Sequence, residues 1–381
     1  MPEFVNYAKE FLPRIIPYKL ARIGLVKPPM PLTLTFSVTN ICQSHCKTCD
    51  IWKFYKEKPE RLKDELKIDE IEKIFKSMGH IYFLNISGGE PFLRKDLPKI
   101  IDLACRYLTP GIIHIPTNCL APDLVVNGTK KILNVMKKHN MQHVPLTVKP
   151  SYDGVEKDHD KIRGTPGNWE KLMDAYKRLK ILEKSNPNLR VGLGTVVSNY
   201  NFMKIKDIAA HGYTLDPDTY ISEIAEERSE LRSIGKPITP NAENYEKAIT
   251  VFSNILKEHM KNKKDKFSKA TESFRLVYYK LVVEWLKNKR QVIPCFGGIT
   301  NIHLSPYGDI WPCCILAYEK SFGNLRDYDY NFKKLYYSKQ ANEIGKYIRN
   351  QNCNCPLANQ AYSNILCNFR SVVKVLKNFL F

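Results

Sequence analysis

Residues 32–49 read Leu32-Thr-Leu-Thr-Phe-Ser-Val38, Thr-Asn-Ile41 and then Cys42-Gln-Ser-His-Cys46-Lys-Thr-Cys49. The first seven form an apolar run with the length and composition of a buried strand. The last eight place three cysteines on one tight loop, with three and then two residues between them, so their sulfurs can converge on one centre. Structural zinc takes four ligands in a closed tetrahedron, usually as two paired knuckles, and this half of the chain offers one such group. A four-iron cluster on three thiolates would instead leave one iron open to a further ligand. Zinc and a redox dithiol stay as alternatives on spacing alone.

One strand further along, Ile81-Tyr-Phe-Leu-Asn-Ile86 runs directly into Ser87-Gly88-Gly89-Glu90-Pro91. Two glycines before an acid suit close approach of backbone to a small charged ligand, although alone they also describe an ordinary turn. Taken together the two stretches resemble the radical S-adenosylmethionine (SAM) superfamily. The resemblance implies that Cys42, Cys46 and Cys49 hold a four-iron cluster whose open iron chelates the amino and carboxylate groups of SAM. It also implies that Gly88, Gly89, Glu90 and Pro91 form the element that holds the SAM ammonium.

Composition sets the bounds. The chain has 381 residues, 43% of them apolar, enough for a large core and for two or three domains. Lys plus Arg number 59 against 39 Asp plus Glu, a net charge of +20, which favours phosphate-bearing or otherwise anionic partners without choosing among them. No apolar run is long enough to span a membrane and no secretory cleavage site follows the N-terminus, so a cytoplasmic location is expected. Eleven cysteines in such a chain point to metal or redox chemistry over a disulfide framework.

From Leu32 onward, strand patterns near 32–38, 81–86, 111–115, 145–152, 190–197 and 218–224 alternate with helix patterns such as 68–79, 96–108 and 168–183. Strict alternation implies parallel strands joined by right-handed crossovers. The expected fold is α/β, a partial six-unit barrel over residues 32–226 with its ligand at the carboxyl ends of the strands. Those ends carry further residues that the resemblance marks. Thr117 and Asn118, and Ser151 and Asp153, match elements contacting the SAM ribose, with Cys119 and Tyr152 standing where relatives carry Gly and Leu. Arg163 matches a residue pairing with the SAM carboxylate, and Val197 one lying against adenine. Thr48 stands where an aromatic residue is usual.

Beyond residue 226 come two long helical patterns, 242–260 and 271–290, separated by the basic run Lys261–Lys266, and residues 227–290 are read as a helical connection. The last ninety residues hold six cysteines. Cys295, then Cys313 after two short strands around Tyr307-Gly-Asp309, then the pair Cys353 and Cys355 make a four-ligand set that only tertiary folding could assemble. It resembles the SPASM or twitch auxiliary-cluster domains, here over residues 291–370. The resemblance implies one auxiliary four-iron cluster on Cys295, Cys313, Cys353 and Cys355, with Cys314 and Cys367 as substitutes; a zinc site is the other reading.

The implied chemistry is reductive cleavage of SAM and hydrogen abstraction from an unactivated carbon, with a ferredoxin or flavodoxin as electron donor. For the substrate, both termini speak first. Residues 1–31 place Phe4, Ala8, Phe11, Leu12, Ile15 and Ile16 beside basic residues in a helix interrupted by Pro13 and Pro17, and residues 371–381 repeat the basic amphipathic character. Such ends suit an anionic membrane surface, peripheral attachment and a lipid-chain substrate, provided both lie at the barrel mouth. A peptide or protein maturase is the alternative, and a non-enzymatic metal protein binding nucleic acid the reading from a different class.

Overall fold

In the computed structural model, residues 2–261, 265–356 and 360–380 are described. Asn262–Lys264 of the basic run and the terminal Phe381 lie outside them, as do the side chains of Phe4 and Ala8. Strands β1 (Thr33–Thr39), β2 (Phe83–Gly88), β3 (Ile112–Thr117) and β4 (Leu146–Pro150) pair in parallel in chain order. Next come β5 (Leu189–Val191), paired with β4, and β6 (Leu193–Val197), paired with β7 (Tyr220–Ile224). The expected 190–197 strand is thus broken at Gly192, and a bridge between Ser151 and Gly194 keeps β4 and β6 in one wall. Helices Ile68–Met78, Leu97–Tyr107, Pro122–Lys138, Asn168–Lys184 and Ile205–Thr214 occupy the crossovers.

Alternation along the strands sorts side chains between two surfaces. Leu34, Phe36 and Val38 of β1, Leu84 and Ile86 of β2, Ile113 and Ile115 of β3 and Val148 of β4 face the helices and are fully buried in one core. The alternate residues, Thr35 and Ser37, Asn85 and Ser87, His114, Thr147 and Lys149, face the inside of the barrel and are largely polar.

The sheet does not end at β1. Strand β8 (Asn301–Leu304) pairs in parallel with β1, Thr33 against Asn301 through Phe36 against Leu304. Strands β9 (Asp309–Trp311) and β10 (Gly323–Asn324) continue it antiparallel. The cysteine-rich C-terminal region is therefore built onto the barrel's first strand. On the other side, helix Lys266–Asn288 lies against β7, where the Tyr279 hydroxyl accepts from the Ser222 amide at 2.9 Å. A region that reads as a connection thus also covers the open edge of the barrel.

The N-terminal helix is continuous from Pro2 to Ile23 with both prolines inside it, contrary to the interruption expected. Phe11, Ile15 and Tyr18 form a stripe across both prolines that packs on Leu32, Tyr82, Ile112, Phe296 and Cys367. Burial of that stripe offsets the backbone hydrogen bonds the prolines remove. Since Leu32, Tyr82 and Ile112 precede or open their strands, this helix closes the amino end of the barrel. The C-terminal helix Phe369–Leu380 packs on Lys266–Asn288, with Asn378 Nδ2 donating to the Ser273 carbonyl at 3.3 Å. Among the described residues, no helix is long and apolar enough to cross a membrane.

Candidate active site

The carboxyl ends of β1 to β4 bring the first group of marked residues together. β1 leads into the Cys42–Cys49 loop through Thr39 and Asn40, whose hydroxyl and amide donate to Glu65 Oε1 at 2.7 and 3.1 Å. Buried Arg94 ties the same end down, donating to the Val38 and Leu66 carbonyls at 2.6 Å each and to Asp96. Glu65 and Arg94 carry no sequence signal, because their work is tertiary. Within the loop, Ser44 Oγ lies 3.1 Å from Cys46 Sγ and donates to the Arg163 carbonyl at 3.2 Å. Burial, and then the neighbouring Cys46, push the Cys42 thiol up to about 12, and the same causes raise Cys49 further. As a bare loop Cys42 and Cys49 resist ionisation, so a cationic centre is what would hold them as thiolates.

Gly88 and Gly89 make a close approach within the chain itself. Gly88 has φ +112°, and a Cβ on Gly88 or Gly89 would lie 2.2 Å from the Thr39 or Ile41 carbonyl oxygen. The backbone they approach is the entrance to the cysteine loop, to which Gly89 and Glu90 also donate their amides at 2.8 Å. Pro91 opens a short 3-10 turn. Glu90 is 2% exposed, its Oε2 accepting from the Asn118 amide at 2.7 Å and its Oε1 from the Phe92 amide at 3.3 Å. Burial raises its carboxyl to about 7, against the pull of those donors.

Asn118 is the hinge between the two motifs. Its Nδ2 stands 3.6 Å from Cys42 Sγ and 3.2 Å from Gln43 Oε1, and its carbonyl accepts from Asn168 Nδ2 at 3.1 Å. The next residue, Cys119, has φ +57°, the left-handed backbone that makes glycine the usual occupant, and it is fully buried. Thr117 is buried beside it, and Ser151 continues the wall by donating its amide to the Thr117 carbonyl at 2.9 Å. Tyr152 turns away from the mouth into the wall, its hydroxyl 2.6 Å from His211 Nδ1 and its ring against Trp169 and Tyr220. Its departure from Leu is thus a matter of packing.

Asp153 and Arg163 form a pair, Nη1 to Oδ2 at 3.0 Å, and Asp153 Oδ1 accepts from the Val196 amide at 2.8 Å. With both oxygens engaged, Asp153 is placed to aim Arg163. Burial opposes the guanidinium charge, but Cys46, Asp153 and Cys42 outweigh it and hold Arg163 firmly protonated. Its Nε is buried and has no hydrogen-bond partner. A buried, unpaired donor on a fixed cation, across from a buried carboxylate beside three thiols, fits a group that brings a carboxylate and an ammonium on one carbon, as SAM does. Val197 is fully buried in the core.

The second group assembles where β8 and β9 meet the chain's end. Cys295, Cys313, Cys353 and Cys355 line one cavity, together with Cys314, Glu226 and Gln360. Burial raises Cys313 to about 12 and Cys353 to about 11, with Cys295 the next cause for both. Arg22 of the N-terminal helix donates Nε to the Cys295 carbonyl at 2.9 Å, and Gln291 donates to the Cys353 carbonyl at 3.0 Å. Of the two substitutes, Cys314 shares this cavity but lies beside Arg228 and Glu230, whereas Cys367 sits under the N-terminal helix with Phe11 and Tyr18. Among the described residues, no three His, Cys, Asp or Glu side chains close on a single metal ion.

The radical SAM superfamily profile matches residues 36–211, the barrel from β1 through the helix after β6. Residues 36–211 are a radical SAM domain. An iron-sulfur cluster-binding domain of the SPASM type matches residues 295–356, which include all four cysteines of the second cavity. A domain of the first kind implies a four-iron cluster liganded by SAM, and one of the second kind auxiliary iron-sulfur binding. Over 303 residues it is 24% identical to the antilisterial bacteriocin subtilosin biosynthesis protein AlbA of Bacillus subtilis, a match covering 78% of this chain and 58% of AlbA. The sporulation killing factor maturation protein SkfB of the same organism is 24% identical over 49% of this chain and 40% of its own length. The chain therefore spans about half the length of these relatives. Among solved structures, native anSMEcpe with bound AdoMet and the Cp18Cys peptide superposes with a TM-score of 0.56 at 16% identity, covering 92% of this chain and 96% of that one. Streptococcus suis SuiB bound to its precursor peptide SuiA gives 0.56 at 13% identity, over 86% and 69%. At these identities the likeness is one of fold.

Proposed function

We propose that this radical SAM enzyme modifies a peptide, abstracting hydrogen from an unactivated carbon and completing the reaction by oxidation or radical coupling. When bound, the cluster and SAM supply the 5'-deoxyadenosyl radical that takes the hydrogen. The chain's own residues orient and shield. Cys42, Cys46 and Cys49 hold the cluster, Glu90 accepts from the SAM ammonium, Arg163 aimed by Asp153 pairs with its carboxylate, and Thr117, Asn118 and Ser151 border the ribose. Cys295, Cys313, Cys353 and Cys355 hold the auxiliary cluster, which with four protein ligands has no open position for substrate and suits electron transfer, drawing on or returning to a ferredoxin or flavodoxin.

What carries the peptide reading is agreement among relatives, two named for bacteriocin biosynthesis and killing-factor maturation and one solved on its precursor peptide. The lipid reading required both amphipathic ends at the barrel mouth. The N-terminal helix instead closes the opposite end, and the C-terminal helix packs on the outside of Lys266–Asn288. Exposed Leu12 and Ile16 therefore lie away from the mouth, where membrane contact would not deliver a lipid tail to the site.

The test is anaerobic turnover of reconstituted enzyme with short peptides encoded beside its gene and, separately, with anionic liposomes. Peptide-dependent formation of 5'-deoxyadenosine, with loss of two hydrogens from the peptide by mass spectrometry, is expected. Turnover stimulated by liposomes and by none of the peptides would return the substrate to lipid.

A further inference from the structure

The inside of the barrel carries charge that the SAM site does not use. On β4, Lys149 points inward and remains partly exposed there, as does His114 on the neighbouring β3. Two strands along the wall, Glu223 of β7 pairs in register with Val196 of β6, whose amide fixes Asp153, so Glu223 sits at the level of the residues proposed to hold SAM. The edge-covering helix adds Arg275, whose side chain is 6% exposed. Arg275 Nε donates to the Tyr362 hydroxyl at 2.8 Å and Nη2 reaches Glu223 Oε1 at 3.3 Å, while the guanidinium lies on the rings of Tyr278 and Tyr362. Its Nη1 is buried without a hydrogen-bond partner.

Lys149 and Arg275 therefore both bear on Glu223; the third cation near it, Arg228, is already paired with Glu226. His114 does not alter the count, since burial, with Lys149 and Arg275, holds it neutral. An unpaired buried guanidinium nitrogen beside a second inward-facing cation is costly unless a further anion completes them. The chain also makes room for the lysine. A Cβ on Gly194 would lie 3.3 Å from both Cδ and Cε of Lys149, so the stem runs along the bare backbone of β6.

We propose that Lys149 and Arg275, offset by Glu223, form a carboxylate-binding site inside the barrel that takes an acidic side chain of the peptide substrate and thereby sets which residue lies next to SAM. The proposal rests on the peptide reading for the source of the carboxylate and on the geometry alone for the site. A planar guanidinium with a free edge suits a carboxylate, and the lysine supplies the second charge without fixing direction.

The experiment is calorimetric titration of the cluster-loaded, SAM-loaded enzyme with N-acetyl-glutamate amide, N-acetyl-glutamine amide and octanoate. The glutamate derivative should bind roughly tenfold or more tightly than its neutral twin. Lys149→Gln should remove that preference and Glu223→Gln should widen it, opposite signs that a merely structural role would not give. Iron content and melting temperature report whether each variant folds. Should Lys149→Gln fail to fold, Gly194→Ala, which displaces the lysine while keeping its charge, should narrow the preference. Equal binding of the two amides, or both charge variants moving the preference in one direction, overturns the proposal. So does binding of octanoate without preference for glutamate, which would assign the site to a fatty carboxylate. If glutamate is preferred but no peptide stimulates 5'-deoxyadenosine formation, the carboxylate site stands and the peptide reading falls.

Discussion

The molecule holds two groups of cysteines built on opposite plans. Cys42, Cys46 and Cys49 occupy one loop at the end of one strand, and the chain places them together before any tertiary contact forms. Cys295, Cys313, Cys353 and Cys355 come from three separated segments, held by Arg22 from one end of the chain and Gln291 from before the hairpin. A local site depends little on the rest of the fold, and losing it should remove chemistry while sparing stability. A dispersed site fastens segments together, so its metal contributes to folding as well.

Four measurements would break or sharpen that contrast. The largest effect belongs to Cys42→Ala, Cys46→Ala and Cys49→Ala combined, which should abolish 5'-deoxyadenosine formation and halve the iron by elemental analysis while leaving the melting temperature nearly unchanged; stoichiometric zinc in place of iron would undo the whole assignment. Cys353→Ala with Cys355→Ala should likewise halve the iron, but here thermal denaturation should show a drop of several degrees, because residues 353–355 lose their tether to the hairpin. Equal melting temperatures for the two sets would erase the distinction between local and dispersed sites.

Next comes Glu90→Gln, expected to weaken SAM binding roughly ten- to a hundredfold in equilibrium dialysis with iron content intact. It carries a pH signature as well. Burial lifts the carboxyl from 4.5 to about 7, so in that window the folded, SAM-free enzyme keeps a proton the unfolded chain has released. Stability should therefore fall as pH rises from 4.5 to 7, and Glu90→Gln should flatten that slope in denaturant titrations. The smallest effect is Cys119→Gly. It relieves a left-handed backbone but removes a buried thiol, two changes of about 1 kcal/mol with opposite sign, so stability, iron and turnover should all stay close to wild type.

The same contrast explains what could be read from the sequence. The barrel strands and the Cys42–Cys49 and Gly88–Pro91 motifs were legible because alternation and spacing act over a few residues. The pairing of β8 with β1 was not, since Asn301 to Leu304 look like half of a hairpin and nothing in them names a partner far upstream. Arg94 and Glu65, which fix the entrance to the cysteine loop, look like surface charges in sequence, as does Arg275 on a helix that reads as a connection. The prolines in the N-terminal helix suggested breaks because local rules cannot see Phe11 and Tyr18 packing under the barrel. Gly88 and Gly89 read as places of close approach, and one group they approach is the protein's own backbone at Thr39 and Ile41, which no local pattern names.

The parallel pairing of β1 with β8 has a consequence for how the molecule comes into being. Until Asn301–Leu304 has left the ribosome, β1 is an unpaired sheet edge, and it is the strand that ends in the cysteine loop. Between the emergence of β7 and that of β8, then, the barrel can be complete in its own six units and still expose a row of backbone donors and acceptors next to three thiols. Such a chain would fold slowly through its most distant contact, would be prone to edge-to-edge association if synthesis stalled before β8, and would gain from receiving its iron only after the final hairpin has closed the sheet.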